Sequence, residues 1–528
     1  MAPSTPAWDA SADSIAATGM ALAIRAREAP ARPAIIDRFG EHSYSKVNGR
    51  CNQLLAAIRN VGAGSHSGVS LICSNRAEFI EAYAAAQRGG LRLTPVNWHL
   101  TGEEMAYIVA DSESEVIIAE ARFKEVAEQA AANAPNVKLK LAIGGDIPGF
   151  INYDEALAAF DDGNPVDPEL GSPMLYTSGT TGRPKGVYRW PPRPSKVMAL
   201  LIGQMITFRP GEDLTLLTGP LYHAAPLSLN AIPSLHSGVG LVLMDKWDPE
   251  ETLQLIEKHQ IAYTHMVATM FNRMLKLPEE VRNRYDVSSM RCVVHGAAPC
   301  PRHVKQAMID WFGPVLYEYY AATEGGATLV TSSEWMERPG TVGKAIEGTG
   351  VRVLDESKHD CAPGVMGKVY LMAPEDARFQ YFKAPEKTSG AYHENFFTLG
   401  DQGHLDADGY LFLTGRDAET IISGGVNIYP QEVDDLLLQF PGVQDVCTIG
   451  VPNEDWGEEV KAVVELAEGV DASDTLAEEL LSYCREHLAG YKCPKSVTFN
   501  TDLPRLPSGK IQRHKVRAPF WANRTQSI

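Results

Sequence analysis

A short run of glycines and hydroxyl side chains between residues 176 and 187 carries the most recognisable chemistry in this sequence. Glycines let a backbone approach a ligand closely and expose its N–H groups, and this combination binds polyphosphates. The run is not a Walker A loop, because Lys185 precedes Gly186 and no serine or threonine follows. We therefore predict a phosphate-binding loop of another kind, preceded by a strand. Its predicted contacts are Thr177, Ser178, Gly179, Thr180, Thr181, Gly182 and Lys185.

The string Tyr-Thr-Ser-Gly-Thr-Thr-Gly-Arg-Pro-Lys-Gly-Val resembles the signature loop of the adenylate-forming superfamily. That superfamily contains acyl-CoA synthetases, luciferases and the adenylation domains of peptide synthetases. Other motifs of the family follow in the expected order along nearly the whole chain. The resemblance implies an enzyme of the acyl-CoA synthetase type, which uses ATP to join an organic acid to a thiol.

Three further motifs imply a nucleotide site by resemblance. Residues 319–324 read Tyr-Tyr-Ala-Ala-Thr-Glu and are similar to Tyr-Gly-x-Thr-Glu, with Ala321 in place of the usual glycine. Residues 295–299 resemble one wall of the adenine slot. Residues 398–401 resemble the ribose-binding motif, in which one carboxylate accepts hydrogen bonds from both hydroxyls. The implied ATP contacts are Gly296, Ala297, Ala298, Pro299, Tyr319, Tyr320, Asp401 and Arg416.

The resemblance also assigns roles around the triphosphate. Tyr320 would stack on adenine, and Thr323 would donate a hydrogen bond to the α-phosphate. Glu324 and Thr180 would hold Mg²⁺, a cation that combines one or two carboxylates with phosphate oxygens. We accordingly expect ATP and Mg²⁺ at the site, with Thr323 and Glu324 among the catalytic residues.

Lys510 and His223 complete the catalytic set that the resemblance implies. Residues 504–511 resemble the motif of the catalytic lysine, whose ammonium can bridge the attacking carboxylate and the α-phosphate. Residues 220–226 resemble the substrate-pocket motif, in which an aromatic residue near His223 gates the carboxylate site. The acid would attack MgATP, giving acyl-AMP and pyrophosphate.

A hinge and a second reaction step are implied as well. The family's pivot residue, usually aspartate, corresponds to Glu419 in this sequence. Residues 422–430 resemble a loop that enters the active site for the thioester step, when the C-terminal domain has rotated. The implied contacts in that loop are Ser423, Gly424 and Gly425.

The elements that position these residues are predicted from hydrophobic periodicity. Residues 69–73 and 116–119 have the pattern of buried strands, and residues 76–87 that of a helix. Such alternation indicates α/β layers with largely parallel sheets. We predict a large N-terminal domain over residues 1–415, built of layered α/β subdomains, to which the resemblance adds a β-barrel-like part.

The rest of the chain, residues 416–528, is predicted to be a small, mobile α+β domain. Residues 431–440 and 475–488 carry apolar side chains at helical spacing. Residues 446–451 and 460–466 alternate as strands do. The fold class predicted for the whole chain is thus α/β.

The bulk composition limits the function classes. The chain has 528 residues, of which 44% are hydrophobic and 22% charged, as in soluble proteins of two or more domains. A net charge of −18 argues against a nucleic-acid surface. Eight scattered cysteines without a CxxC pair indicate reduced thiols in a cytoplasmic protein. We expect neither a signal peptide nor a transmembrane segment, and a homodimer remains possible.

The acid is expected to be fatty or bulky and hydrophobic. Residues 219–230 contain no Asp or Glu to pair with an α-ammonium, and burying an unpaired ammonium costs on the order of several kcal/mol. Residues 225–232, 239–244 and 266–271 are largely apolar, which suggests an apolar acyl pocket. Residues 188–190 read Tyr-Arg-Trp where many family members have Thr-His, and this resembles bacterial ligases for fatty or polycyclic acids.

Coenzyme A is the expected acceptor, because no carrier-protein module follows Lys510 before Ile528. Three alternatives stay open: a fatty acyl-AMP ligase that loads a separate carrier protein, a luciferase-like oxygenase, and a catalytically inactive acyl- or nucleotide-binding protein. Carrier-loading ligases have an insertion that hampers the coenzyme A reaction, and none is obvious between Asp401 and Gly425.

Overall fold

A computed structural model of the chain describes residues 9, 11–132, 134–177, 184–298, 300–416, 419–423, 426–453, 456–488, 490–506 and 509–522. Its α-helices are α1 Ala12–Ala17, α2 Ala21–Glu28, α3 Tyr44–Asn60, α4 Ala77–Arg88, α5 Gly102–Asp111, α6 Lys124–Ala132, α7 Tyr153–Ala158, α8 Lys196–Met205, α9 Ile232–His236, α10 Pro249–His259, α11 Ala268–Leu275, α12 Glu279–Arg282, α13 Arg302–Phe312, α14 Ser332–Glu337, α15 Pro385–Ala391, α16 Pro430–Leu437, α17 Asp474–His487 and α18 Arg513–Trp521.

Its strands are β1 Pro33–Asp37, β2 Gly40–Ser43, β3 Gly68–Ile72, β4 Arg92–Pro95, β5 Ser114–Glu120, β6 Leu139–Ile143, β7 Ile151–Asn152, β8 Ser172–Pro173, β9 Leu175–Thr177, β10 Lys185–Tyr188, β11 Leu214–Leu217, β12 Gly240–Leu243, β13 Tyr263–Met266, β14 Cys292–His295, β15 Leu316–Ala322, β16 Gly325–Thr331, β17 Lys344–Ala345, β18 Val351–Leu354, β19 Gly367–Met372, β20 Gln380–Tyr381, β21 Tyr392–His393, β22 Phe396–Phe397, β23 Asp401–Leu405, β24 Leu411–Arg416, β25 Ile421–Ser423, β26 Val426–Ile428, β27 Val443–Asn453, β28 Gly457–Leu466 and β29 Ser496–Phe499.

The first subdomain is a parallel sheet in the order β7-β6-β5-β3-β4-β8. Every residue of β3 is buried, as expected for a strand covered on both faces. Thr101 and Glu104 form a reciprocal capping box at the start of α5. The predicted strands at 69–73 and 116–119 and the predicted helix at 76–87 are confirmed as β3, β5 and α4, with boundaries shifted by a few residues.

The second subdomain is a sheet in the order β17-β16-β15-β14-β13-β11-β12-β1-β2. Its central strands are parallel, whereas β2, β16 and β17 pair antiparallel at the edges. The carboxyl ends of β13, β14 and β15 therefore meet at one edge, the place where open α/β sheets bind ligands. The adenine-wall and Thr-Glu motifs follow β14 and β15 directly.

A third part of the large domain is barrel-like. The antiparallel sheet β21-β22-β19-β23-β24 carries β18 beside β19, and the short sheet β20-β10-β9 packs against it. The two sheets share one apolar core that includes Val187, Leu371, Phe379 and Phe397. This core places the strands that flank the phosphate loop beside those that carry Asp401.

The C-terminal domain is a mixed sheet in the order β26-β25-β28-β27, with β29 beside β28. Helices α16 and α17 pack on it through Val433, Leu437 and Leu480. The strands predicted at 446–451 and 460–466 are confirmed as β27 and β28, and the helix predicted at 475–488 as α17.

The helix predicted at 431–440 is wrong at its C-terminal end, since α16 stops at Leu437. The next residues form tight turns, in which the Phe440 N–H donates to the Leu437 carbonyl at 3.1 Å. Pro441 disfavours a helical conformation for the residue before it. The spacing of apolar residues predicted the longer helix because it takes no account of the proline.

Sheet membership changes between Arg416, the last residue of β24, and Ile421, the first of β25. All eight cysteines are free thiols, as their spacing predicted. Among the described residues, no helix combines the length and apolar character that crossing a bilayer requires.

Candidate active site

The loop after β14 is shaped by contact with Tyr319. A Cβ on Gly296 would lie 2.6 Å from the Tyr319 carbonyl oxygen, so the backbones approach as closely as glycine allows. Ala297 adopts a φ of +64°, which is uncommon for alanine. Ala298 follows, and Pro299 lies outside the described residues. The loop thus has a fixed, small-residue surface of the kind that a flat base could lie against.

Tyr319 and Tyr320 are neighbours on β15 and face opposite sides of the sheet. The Tyr319 ring is 5% exposed, and its hydroxyl pairs with Nε2 of His265 at 3.0 Å. It supports the Gly296 loop from within the core. Its predicted direct contact with ATP stays a prediction.

Tyr320 reaches the ribose motif. Its hydroxyl donates to Oδ2 of Asp401 at 2.5 Å. Asp401 begins β23 and is 6% exposed, and its backbone is registered against Arg416 on β24. The side chain of Arg416 lies outside the described residues. The structure therefore joins two predicted nucleotide contacts that are far apart in sequence.

Thr323 and Glu324 form the tip of the β15–β16 hairpin, between the paired residues Ala322 and Gly325. The Glu324 side chain is nearly buried, and its Oε1 accepts a hydrogen bond from the Tyr381 hydroxyl at 3.0 Å. Burial, and then the charge of Glu324, raise the pKa of Tyr381, so the phenol remains a donor. The carboxylate is held in one orientation at the sheet edge.

The predicted phosphate loop lies between β9 and β10, and the strand residues on either side of it, Thr177 and Lys185, pair with each other. The Lys185 ammonium lies 5.1 Å from the centroid of the Tyr381 ring, a cation–π distance. Tyr176 donates to Asp111 at 2.6 Å and so ties the loop to α5. The predicted contacts Ser178, Gly179, Thr180, Thr181 and Gly182 lie outside the described residues.

His223 follows β11, next to Tyr222, with ring centroids 4.6 Å apart. Burial, with His99 as a second cause, lowers the pKa of His223 to about 4, so the imidazole is neutral near pH 7. Within the described residues, neither His223 Nε2 nor the Tyr222 hydroxyl has a hydrogen-bond partner. These two buried polar atoms are therefore candidates for contact with a bound polar group.

The turn that carries Lys510 is closed by its own backbone. Arg505 and Ile511 pair as a bridge, and the Leu506 N–H donates to the Lys510 carbonyl at 2.8 Å. A Cβ on Gly509 would lie 2.4 Å from Oγ1 of Thr269, at the start of α11 in the large domain. The turn therefore packs directly on the large domain, beside the predicted acyl pocket.

The predicted hinge residue Glu419 is ion-paired with Arg513 of α18, with 3.3 Å between Nε and Oε2. Arg513 also binds Asp434 at 2.8 Å. Burial disfavours its charge, but the two carboxylates outweigh burial and raise the pKa of the guanidinium. Ser423 ends β25, whereas Gly424 and Gly425 lie outside the described residues.

Two residues of this region were not predicted from the sequence. Arg189 donates to the carbonyl oxygens of Thr323 and Glu324, and Tyr381 orients the Glu324 carboxylate. The only signal for Arg189 was the Tyr-Arg-Trp string at 188–190. For Tyr381 no signal was recognised, since its place depends on the pairing of β20 with β10.

Two family models match the chain. The model described as AMP-binding enzyme matches residues 22–378, and the model described as AMP-binding enzyme C-terminal domain matches residues 432–510. The chain belongs to the AMP-binding enzyme family, and the resemblance to adenylate-forming enzymes is confirmed.

Several similar proteins are named as CoA ligases. Indoleacetate–CoA ligase of Aromatoleum aromaticum is 31% identical, over 92% of this chain and 95% of the relative. Long-chain-fatty-acid–CoA ligase FadD13 of Mycobacterium tuberculosis is 30% identical, over 91% and 93%. The crystal structure of anthranilate CoA ligase AuaEII with anthranoyl-AMP has a TM-score of 0.85 at 24% identity, covering 95% of this chain and 97% of that one, and shows the same fold.

Proposed function

We propose that this enzyme converts a hydrophobic carboxylic acid to its acyl-AMP with MgATP and then transfers the acyl group to coenzyme A. The observation that carries the proposal is the packing of the Lys510 turn on Thr269. The contact puts the turn of a small-domain lysine beside the carboxyl end of β13, in the sheet whose β15–β16 hairpin carries Glu324. An ATP-dependent attack by a carboxylate needs such a cation where charge develops.

In the first half-reaction the acid's carboxylate oxygen bonds to the α-phosphorus, and the bond to pyrophosphate breaks. Positioning and charge neutralisation dominate in phosphoryl chemistry of this kind. Asp401, whose carboxylate also accepts a hydrogen bond from Tyr320, would accept hydrogen bonds from the ribose hydroxyls. Lys185 would neutralise the leaving pyrophosphate, and Lys510 the α-phosphate.

Glu324 is suited to Mg²⁺. It is a nearly buried carboxylate that is held at the hairpin tip by Tyr381. Mg²⁺ takes one or two carboxylates and its other ligands from phosphates and water. When bound, Mg²⁺ would neutralise the charge of the phosphates. Thr180 is proposed as a second contact.

In the second half-reaction the C-terminal domain rotates about Glu419, and the thiol of coenzyme A attacks the acyl carbon with release of AMP. The Glu419–Arg513 pair keeps the pivot attached to α18. Ser423, Gly424 and Gly425 would line the path of the thiol. We place the reaction in the cytoplasm, where free thiols such as the eight of this chain stay reduced.

The acid class that we propose is aryl or fatty rather than amino acid. The apolar segments 225–232, 239–244 and 266–271 and the lack of a carboxylate in 219–230 support it. One relative is named for indoleacetate and another for long-chain fatty acids, so ring and chain substrates both belong in the test.

The test is ATP–pyrophosphate exchange with indoleacetate, benzoates, cinnamates, fatty acids of graded length and amino acids. We expect exchange with at least one hydrophobic acid and none with amino acids. Product formation with coenzyme A, compared with an acyl carrier protein, then identifies the acceptor. Exchange with no acid in the panel would contradict the proposal, and product with the carrier alone would contradict the acceptor.

A further inference from the structure

Arg189 is a cation beside the predicted phosphate loop that the roles above leave unused. It comes directly after β10 and four residues after Lys185. Its guanidinium donates to backbone carbonyls of two other segments: Nε to Ala377 at 3.0 Å, and Nη2 to Glu324 at 2.7 Å and Thr323 at 3.3 Å. An arginine that binds carbonyl oxygens fixes the backbone rather than neutralising a side chain.

The two carbonyls at the hairpin tip belong to Thr323 and Glu324, whose side chains are proposed to contact the α-phosphate and Mg²⁺. Both residues lie at a two-residue tip, so a displaced backbone there would displace both the Thr323 hydroxyl and the Glu324 carboxylate. Gly325, next to the tip, has a φ of +133°, and a Cβ there would lie 3.3 Å from Arg189 Nη2. The tip and the guanidinium are thus fitted closely together.

Strand β20, which pairs with β10, holds the side chain of Glu324, whereas Arg189 holds its backbone. Tyr381, which pairs with Val187 across β20 and β10, donates to its carboxylate. Arg189 and Tyr381 therefore connect the strand that closes the phosphate loop to the hairpin tip at two points, one on the backbone and one on the side chain.

We propose that Arg189 is a positioning residue for acyl-AMP formation, which holds Thr323 and Glu324 at a fixed distance from the phosphate loop. The inference rests on the proposed function. It also explains why residue 189 is arginine: the fixed fork of a guanidinium reaches carbonyls of two segments at once, whereas lysine carries a compact charge without that geometry.

The experiment compares Arg189→Met, Arg189→Lys and the matched control Arg193→Met, an exposed arginine of the following segment. Adenylation is measured by ATP–pyrophosphate exchange with the best acid of the panel, and the second step by thioester formation from supplied acyl-AMP and coenzyme A. Misplacing catalytic groups by about 1 Å costs roughly 100-fold. We expect a loss of that order in kcat/KM for MgATP with Arg189→Met, and a rise in the Mg²⁺ concentration for half-maximal rate.

Arg189→Lys should recover only part of the loss, while the thioester step and the control variant stay within about twofold of the parent. Tyr381→Phe should shift the Mg²⁺ requirement in the same direction. Unchanged MgATP kinetics in Arg189→Met would overturn the inference. So would equal losses in both half-reactions with a lower unfolding temperature, which indicate a general structural role, or full recovery by lysine.

Glu324→Gln separates this inference from the proposed function. If Glu324→Gln loses adenylation while Arg189→Met keeps it, Arg189 is not the positioning residue and the proposed function stands. If Glu324→Gln keeps full adenylation, the metal role of Glu324 fails, and the reason for positioning it fails as well.

Discussion

His265 is a buried histidine beneath the adenine-wall loop. Its imidazole pairs with the hydroxyl of Tyr319, whose ring lies against Gly296. The side chain is 3% exposed, and burial lowers its pKa to about 4. Between pH 6.5 and pH 4 the unfolded chain binds a proton at this residue that the folded protein does not bind. Acidification through this window therefore favours unfolding.

Replacing His265 by Gln should remove this part of the pH dependence. The group is expected to lower the free energy of unfolding by about 2 kcal/mol between pH 7 and pH 5, and the variant should lack that decrease. Urea unfolding of both proteins at the two pH values measures the difference. His359→Gln, at an exposed histidine, is the control and should keep the parent's pH dependence. An unchanged slope in His265→Gln would contradict the assignment.

At the scale of elements, the loop after β14 requires glycine at position 296, because the backbone of Tyr319 leaves no room for a side chain there. In Gly296→Ala the new Cβ would lie 2.6 Å from a carbonyl oxygen, which yields less readily than a side chain. We expect the variant to lose about 1–3 kcal/mol of stability and to raise the KM for ATP. Gly203→Ala, in α8 with open space around it, should be neutral or slightly stabilising. Denaturant unfolding measures the stability of both variants, and ATP–pyrophosphate exchange measures their KM for ATP. Unchanged stability and KM in Gly296→Ala would show that the loop adapts to the added methyl group.

The element scale also shows what could be predicted from sequence. Two buried strands and a helix were found because β3, β5 and α4 have local apolar patterns, and motif order proposed Asp401, Glu324 and Lys510 for the site. The end of α16 was missed because Pro441 acts on the residue before it. The contacts of Arg189 and Tyr381 were missed because they depend on strand register between segments distant in sequence, for which no local pattern exists.

At the scale of the whole molecule, the two domains touch at more than the Lys510 turn. At the C-terminal end of α11, Lys276 donates to the Gln444 side chain at 2.8 Å and to its carbonyl at 3.2 Å. α11 thus contacts the small domain near both ends, through Thr269 and through Lys276. These contacts should stabilise the orientation in which Lys510 lies at the large domain.

Lys276→Ala should therefore slow adenylation by roughly twofold to fivefold, a modest effect because the contact is exposed. The thioester step from supplied acyl-AMP needs the other orientation and should be unchanged or faster. Lys258→Ala, on α10, is the control. The two half-reaction rates are compared for each protein. Equal slowing of both steps by Lys276→Ala would contradict a role for this contact in orientation.

The most direct measurement is the pair of single-turnover half-reactions of Lys510→Ala. The account predicts that acyl-AMP formation falls by at least about 100-fold, because a cation is lost where charge develops on the α-phosphate. Thioester formation from supplied acyl-AMP and coenzyme A should stay within about threefold of the parent, because Lys510 has then left the site. Acyl-AMP formation at the parent's rate, or an equal loss in both half-reactions, would contradict the account.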